Sequence, residues 1–170
     1  MNLSSKIRDI VDFPKEGVVF KDITPILQDP KYLNESINQM EEQIKDLEFV
    51  YIIGPESRGF IFGVPLACKM NKGFIPVRKK GKLPYETKAK EYSLEYGTAT
   101  IEIHIDAIKP GQKVVIADDL LATGGTSRAI VDLIEEMGGE IVGFVYLIEL
   151  EFLDGRKLLD GYNIKSLIKY

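Results

Sequence analysis

The chain has 170 residues, 45% of them hydrophobic, which suits one globular domain whose core needs no disulfide or metal staple. Its 26 acidic residues outnumber 22 basic ones, and the formal net charge of −4 argues against a broad nucleic-acid footprint. One cysteine, Cys68, and one histidine, His104, exclude an internal disulfide and a structural zinc site; no apolar run reaches membrane-spanning length, so a cytoplasmic protein without nucleic-acid or membrane partners is expected.

Leu3, Ile7, Ile10 and Val11 predict an N-terminal helix, followed by an irregular segment over 12–28 that contains Pro14, Gly17 and Pro25. Asp29 can cap a second helix with Pro30 at its first position, and Leu33, Ile37, Met40, Ile44 and Leu47 form its buried stripe. Residues 49–53 read as a buried strand, 54–59 as a turn into an apolar helix that Pro65 bends or cuts short, and 74–77 as another strand. Residues 92–96 and 98–106 alternate about Gly97 as a hairpin. Strands at 141–150 and 164–168 follow a helix that Gly138 and Gly139 end.

Residues 114–128 read Val-Val-Ile-Ala-Asp-Asp-Leu-Leu-Ala-Thr-Gly-Gly-Thr-Ser-Arg. The β-branched start is that of a parallel strand covered on both faces, and helical spacing resumes at Ala129, so the turn joins a buried strand to a helix. Thr123, Gly124, Gly125 and Thr126 fall at the helix N-terminus, where unpaired N–H groups and the dipole attract an anion. The glycines let the backbone approach closely and the threonines add hydroxyl donors. Asp118 and Asp119, placed at the strand's end, can accept hydrogen bonds from vicinal sugar hydroxyls and stand near a phosphate-bound magnesium. A sugar phosphate suits that order; the alternative is an ordinary βα turn capped by Thr126 with two solvated acids.

Gly54-Pro55-Glu56-Ser57-Arg58-Gly59-Phe60 also follows a strand and opens a helix. Its amides and the Arg58 guanidinium can hold a second anion opposite the first, or Ser57 caps the helix and Arg58 lies in solvent. Arg78, Lys79, Lys80, Lys82, Lys88 and Lys90 concentrate positive charge in one segment of an acidic chain, which suits a small polyanion or a solvated loop. His104 alternates with Ile101, Ile103 and Ile105 and is expected to face solvent, while Cys68 sits in an apolar stretch that reads as packing. There is no nucleophile elbow, Walker loop or dinucleotide fingerprint to support hydrolase, ATPase or dehydrogenase chemistry.

These segments resemble the type I purine/pyrimidine phosphoribosyltransferase family, and their spread over most of the chain narrows the resemblance to the adenine phosphoribosyltransferases. The resemblance implies a single α/β domain over 1–170, with a mostly parallel twisted sheet flanked by helices, an N-terminal hood over 1–28 and a flexible active-site loop at 78–96. It implies conversion of adenine and 5-phosphoribosyl 1-pyrophosphate to AMP and pyrophosphate in purine salvage by a cytoplasmic homodimer, with Mg2+ held mainly by the substrate. The sugar phosphate then falls to Asp118, Asp119, Ala122, Thr123, Gly124, Gly125 and Thr126, and the pyrophosphate to Ser57, Arg58, Arg78, Lys79 and Lys82. Adenine falls to the main chain of Val19 and Lys21 and the ring of Phe20, with Tyr96 shaping the loop or the ribose pocket. Glu95 is implied as the general acid/base, moving the purine proton through N7 or water, and Arg58 as its catalytic partner. Two alternatives stay open: the same fold acting on hypoxanthine, guanine or xanthine, and a non-catalytic regulator that senses 5-phosphoribosyl 1-pyrophosphate.

Overall fold

Arg8–Val11, expected to be helical, is instead a strand (β1) paired antiparallel with Val19–Asp22 (β2). The cause is non-local: the Arg8 guanidinium donates to Asp22 across the ladder at 2.9 Å through Nε, and Lys21 Nζ lies 2.8 Å from Asp9 Oδ1. Gly17, at φ +84°, closes the turn and donates its N–H to Asp12 Oδ1 at 2.8 Å. A 3₁₀ turn at Leu3–Lys6 is what the expected helix becomes, and the expected irregular segment also contains a short helix, Thr24–Gln28 (α1). Asp29 does open the next helix, Pro30–Ile44 (α2), by accepting the N–H of Lys31 at 3.0 Å. Ile37, Met40 and Ile44 are buried, whereas Leu47 lies beyond the helix end.

The computed structural model describes residues 1–94 and 96–170, which divide into two compact units, Met1–Gln39 and Met40–Tyr170. Among the described residues of the second unit, Tyr51–Pro55 (β3), Gly73–Lys79 (β4), Thr87–Ser93 (β5), Thr98–His104 (β6), Lys113–Leu121 (β7), Glu140–Glu149 (β8) and Ile164–Lys169 (β9) form one sheet, ordered β5-β6-β4-β3-β7-β8-β9. From β4 to β9 in that order the five neighbours run parallel, and β5–β6 is an antiparallel hairpin at one edge. Helices Arg58–Lys69 (α3) and Gly125–Glu136 (α4) flank the sheet, so the expected mostly parallel α/β fold is the one observed. Val114, Val115, Ile116 and Ala117 are wholly buried, as a strand covered on both faces requires.

Several local expectations change. The α3 helix runs through Pro65 to Lys69; Pro65 is exposed, so the carbonyl its ring deprives of a donor can turn to water. Cys68 lies on the exposed side of the same helix, not in packing. His104 is half-buried, with its Nε2 accepting the Tyr85 N–H at 3.4 Å. The segment 78–96 includes β5, a strand of which Lys88, Lys90 and Tyr92 share one face.

Candidate active site

Strands β3 and β7 are parallel neighbours, in register from Tyr51↔Val114 to Ile53↔Ile116, so the turns that leave their carboxyl ends lie side by side. A cleft of about 220 Å³ opens between them, lined by residues 55–58 and 118–127. Asp118 and Asp119 are not in the turn but within β7, because pairing with β8 continues through Asp118↔Tyr146 to Leu121↔Glu149. The Asp119 N–H donates to Asp118 Oδ1 at 2.8 Å, and Asp119 Oδ2 lies 3.0 Å from Nε of Arg58. The two sequence segments thus meet through an ion pair, and Arg58 is not simply in solvent.

Burial raises both carboxyls. For Asp118 the neighbouring Asp119 charge adds to burial and pushes it well above the ordinary range; for Asp119 the Arg58 guanidinium opposes the rise. Gly59, in the first turn of α3, makes room for this pair, since a Cβ there would stand 2.9 Å from Asp118 Oδ1 and 2.8 Å from Cδ of Pro55.

After β7 the chain turns through Gly124, at φ +85°, into α4, whose first turn closes with Arg128 N–H donating to the Gly124 carbonyl at 2.9 Å. Gly124 occupies the N-cap, so Thr126 is not the cap and its hydroxyl serves elsewhere, 3.1 Å from Tyr92 OH of β5. The amides of Gly125, Thr126 and Ser127 form the donor-rich end of the helix. Behind them Ser127 Oγ lies 2.6 Å from the phenol oxygen of fully buried Tyr146.

On the other wall Ser57 precedes α3 without making a side-chain cap, and the Glu56–Ser57 peptide is cis. Glu56 ties β4 to the rim: its Oε1 accepts the Lys79 N–H at 2.7 Å and Arg78 Nε at 3.3 Å. Lys82 is exposed on the following turn, where Arg78 donates to its carbonyl at 3.5 Å. Lys88 and Lys90 of the same basic segment pair instead with α4, at 3.3 Å from Glu136 and 3.5 Å from Asp132 respectively.

The cleft therefore gathers Ser57, Arg58, Asp118, Asp119, Ala122, Thr123, Gly124, Gly125 and Thr126, with Arg78 and Lys79 held at its rim through Glu56. Tyr96 is 81% exposed in the β5–β6 turn, and Glu95 lies outside the described residues. Val19, Phe20 and Lys21 belong to β2 of the first unit, where the rings of Phe20 and Phe13 meet edge to face at 5.3 Å. Sequence reasoning missed Glu56, Tyr92, Ser127 and Tyr146. The one signal for Tyr92 was its place on the same alternation as Lys88 and Lys90; Glu56 had none.

Fold and cleft together define an α/β protein with a polar cleft, lined by paired acids, an arginine and a helix N-terminus, at the carboxyl ends of β3 and β7. A family model described as phosphoribosyl transferase domain matches residues 22–166. The adenine phosphoribosyltransferase of Lachnoclostridium phytofermentans is 63% identical, over 99% of this chain and 97% of its own length. The crystal structure of the enzyme of that name from Thermoanaerobacter pseudethanolicus is 55% identical with a TM-score of 0.96, covering 99% of this chain and 98% of that one. That from Saccharomyces cerevisiae, complexed with adenine and an imino-altritol bisphosphate, is 38% identical with a TM-score of 0.91, covering 97% and 96%. The chain belongs to the phosphoribosyltransferase family, in its adenine phosphoribosyltransferase branch.

Proposed function

We propose that the cleft binds 5-phosphoribosyl 1-pyrophosphate and that the chain transfers its phosphoribosyl group to adenine, giving AMP and pyrophosphate in purine salvage. The N9–C1′ bond forms, the bond from C1′ to the pyrophosphate oxygen breaks with its electron pair leaving on pyrophosphate, and the purine gives up one proton. The observation that supports this reading most is the 3.0 Å Arg58–Asp119 contact, because it brings a guanidinium and a buried carboxyl together in the cleft that the N-terminus of α4 also lines.

The 5′-phosphate sits on the amides of Ala122 to Thr126 with the Thr123 and Thr126 hydroxyls. Asp118 and Asp119 take the ribose hydroxyls; Ser57 and Arg58 take the pyrophosphate, joined by Arg78, Lys79 and Lys82. Fixed donors aimed at the charge that develops on pyrophosphate lower the barrier, and holding both reactants in line removes much of the entropic cost. The roles of Val19, Phe20, Lys21 and Tyr96 toward adenine and ribose, and of Glu95 as acid/base, rest on the likeness of their sequence to the family. The yeast relative's complex with adenine supports the choice of base.

Asp118 and Asp119 are hard oxygen donors of the kind Mg2+ takes, but the contacts of Asp119 with Arg58 and of Asp118 with the Asp119 amide suit a metal carried mainly on the substrate's own oxygens. Bound there, it would neutralise charge on the departing pyrophosphate. A homodimer working in the cytoplasm completes the proposal; among the described residues no helix is long and apolar enough to cross a membrane. A panel of adenine, guanine, hypoxanthine and xanthine, assayed for pyrophosphate release with and without Mg2+, tests it. AMP formation with adenine alone is expected; turnover of another purine in its place, or donor binding with no turnover, would reject it.

A further inference from the structure

A loop of the sequence Ala122-Thr123-Gly124-Gly125 has little side-chain constraint of its own, yet an anion site works only if its N–H groups are held in place beforehand. The support comes from a segment some thirty residues further on. Gly155, buried in the 3₁₀ turn Gly155–Leu159, lies against the loop so closely that a Cβ on Gly124 would stand 2.5 Å from the Gly155 carbonyl oxygen. A Cβ on Gly155 would in turn run into the Ala122 carbonyl and stand 3.0 Å from Cδ1 of Leu121. Loop and turn interlock backbone to backbone, so the position of one sets the position of the other.

The turn is itself fixed by its next residue. The Arg156 guanidinium donates to both oxygens of Glu149, at 2.5 Å from Nε and 2.7 Å from Nη2, and Nη1 donates to the Ile164 carbonyl at 3.3 Å. Glu149 is only 3% exposed, and Ser166 Oγ donates to its Oε2 at 2.5 Å. It ends β8 opposite Leu121, the last residue of β7, and Leu150 N–H donates to the Leu121 carbonyl at 3.0 Å. The ion pair therefore braces the loop from the strand it leaves and from the turn beneath it.

We propose that Arg156 is a positioning residue for the sugar-phosphate loop, acting through Gly155, with Glu149 as its anchor. This rests on the reading of residues 122–126 as the 5′-phosphate site. The test is Arg156→Lys, which keeps a counter-charge for buried Glu149 but loses the planar fork. Ribose 5-phosphate affinity by calorimetry, KM for 5-phosphoribosyl 1-pyrophosphate, KM for adenine and thermal midpoint are read together. Misplacing the loop should weaken ribose 5-phosphate and raise the donor's KM by about tenfold or more, with the KM for adenine unchanged.

Unchanged ribose 5-phosphate affinity, or a fall in kcat alone as from a smaller folded fraction, overturns the proposal. Should Arg156→Lys not fold, Ser166→Ala, which removes one hydrogen bond to Glu149, carries the same pattern at about two- to fivefold, and its absence there also overturns it. If the wild-type protein itself binds no ribose 5-phosphate, the phosphate-site reading falls rather than the brace.

Discussion

Nε of Arg58, in the first turn of α3, lies 3.0 Å from Oδ2 of Asp119, the seventh residue of β7. Only the adjacency of β3 and β7 brings these residues together, a guanidinium from the helix that follows one strand and a buried carboxyl from the other. Arg58→Ala should reduce kcat/KM for 5-phosphoribosyl 1-pyrophosphate by about 10²- to 10³-fold, the usual loss on removing one donor to developing charge. Asp119, the partner left behind, is only 4% exposed, so the thermal midpoint should fall as well, and turnover is compared on folded protein at a temperature below both transitions. Arg58→Lys should recover only part, since a single ammonium cannot grip two oxygens. Steady-state kinetics with each substrate varied decide it; wild-type turnover by Arg58→Ala would remove Arg58 from the chemistry.

Asp118 offers a test with a definite sign. Its carboxyl is raised well above the ordinary value of 3.8 by burial and then by Asp119. A carboxyl with a higher pKa folded than unfolded holds its proton more tightly in the native state. Stability is therefore highest below the unfolded value and declines as pH rises through the folded one. Asp118→Asn removes that decline. The variant should melt higher than wild type near pH 8, with the gap closing toward about pH 4, while its turnover collapses. Melting curves across that range suffice, and a variant less stable than wild type at pH 8 contradicts the argument.

Legibility of the fold followed burial. Residues 114–117 and most of 141–150 could be read as strands because both faces are covered and no polar residue interrupts the run. β1 could not, because Ile10 and Val11 fit helical spacing and only the partners Phe20 and Val19, about ten residues on, make them a strand. β5 was hidden for a different reason: its inward face is Lys88, Lys90 and Tyr92, whose stems and tips meet α4, so charge stands where alternation would call for apolar residues. In the cleft, the lining residues were readable because glycine, threonine, arginine and paired aspartates have chemistry of their own. Glu56 and Gly155 were not, since the role of each is set by a tertiary neighbour: the carboxyl end of β4 for one, the Ala122 carbonyl for the other.

Gly59→Ala puts a methyl group where the structure has room for none: 2.8 Å from Cδ of Pro55 and 2.9 Å from Asp118 Oδ1. Alanine favours helix by about 1 kcal/mol over glycine, which offsets part of the strain in stability. Catalysis has no such compensation, because the group displaced is Asp118, the carboxyl proposed to meet the ribose. A fall of about 10²-fold in kcat/KM for the phosphoribosyl donor is expected, with the thermal midpoint within a few degrees of wild type. Assay and melting curve on one preparation separate the two effects. Full activity would show that Asp118 can shift without consequence.

Tyr92 links the hairpin to the first turn of α4 through the 3.1 Å contact of its hydroxyl with Thr126 Oγ1. If the phenol donates, the Thr126 proton is left for the substrate phosphate, and the two hydroxyls act in series. Tyr92→Phe keeps the ring, which lies about 3.6 Å from where a Cβ on Gly125 would be, and removes only the hydroxyl. The loss of one neutral hydrogen bond, about 0.5 to 1.5 kcal/mol, should appear as a rise of up to about tenfold in KM for 5-phosphoribosyl 1-pyrophosphate, with the KM for adenine unchanged. Thr126→Val should cost more, and the double variant no more than Thr126→Val alone, because both act on the same proton. A lower KM in Tyr92→Phe would mean the reverse polarity, with the phenol competing against phosphate for the threonine hydroxyl.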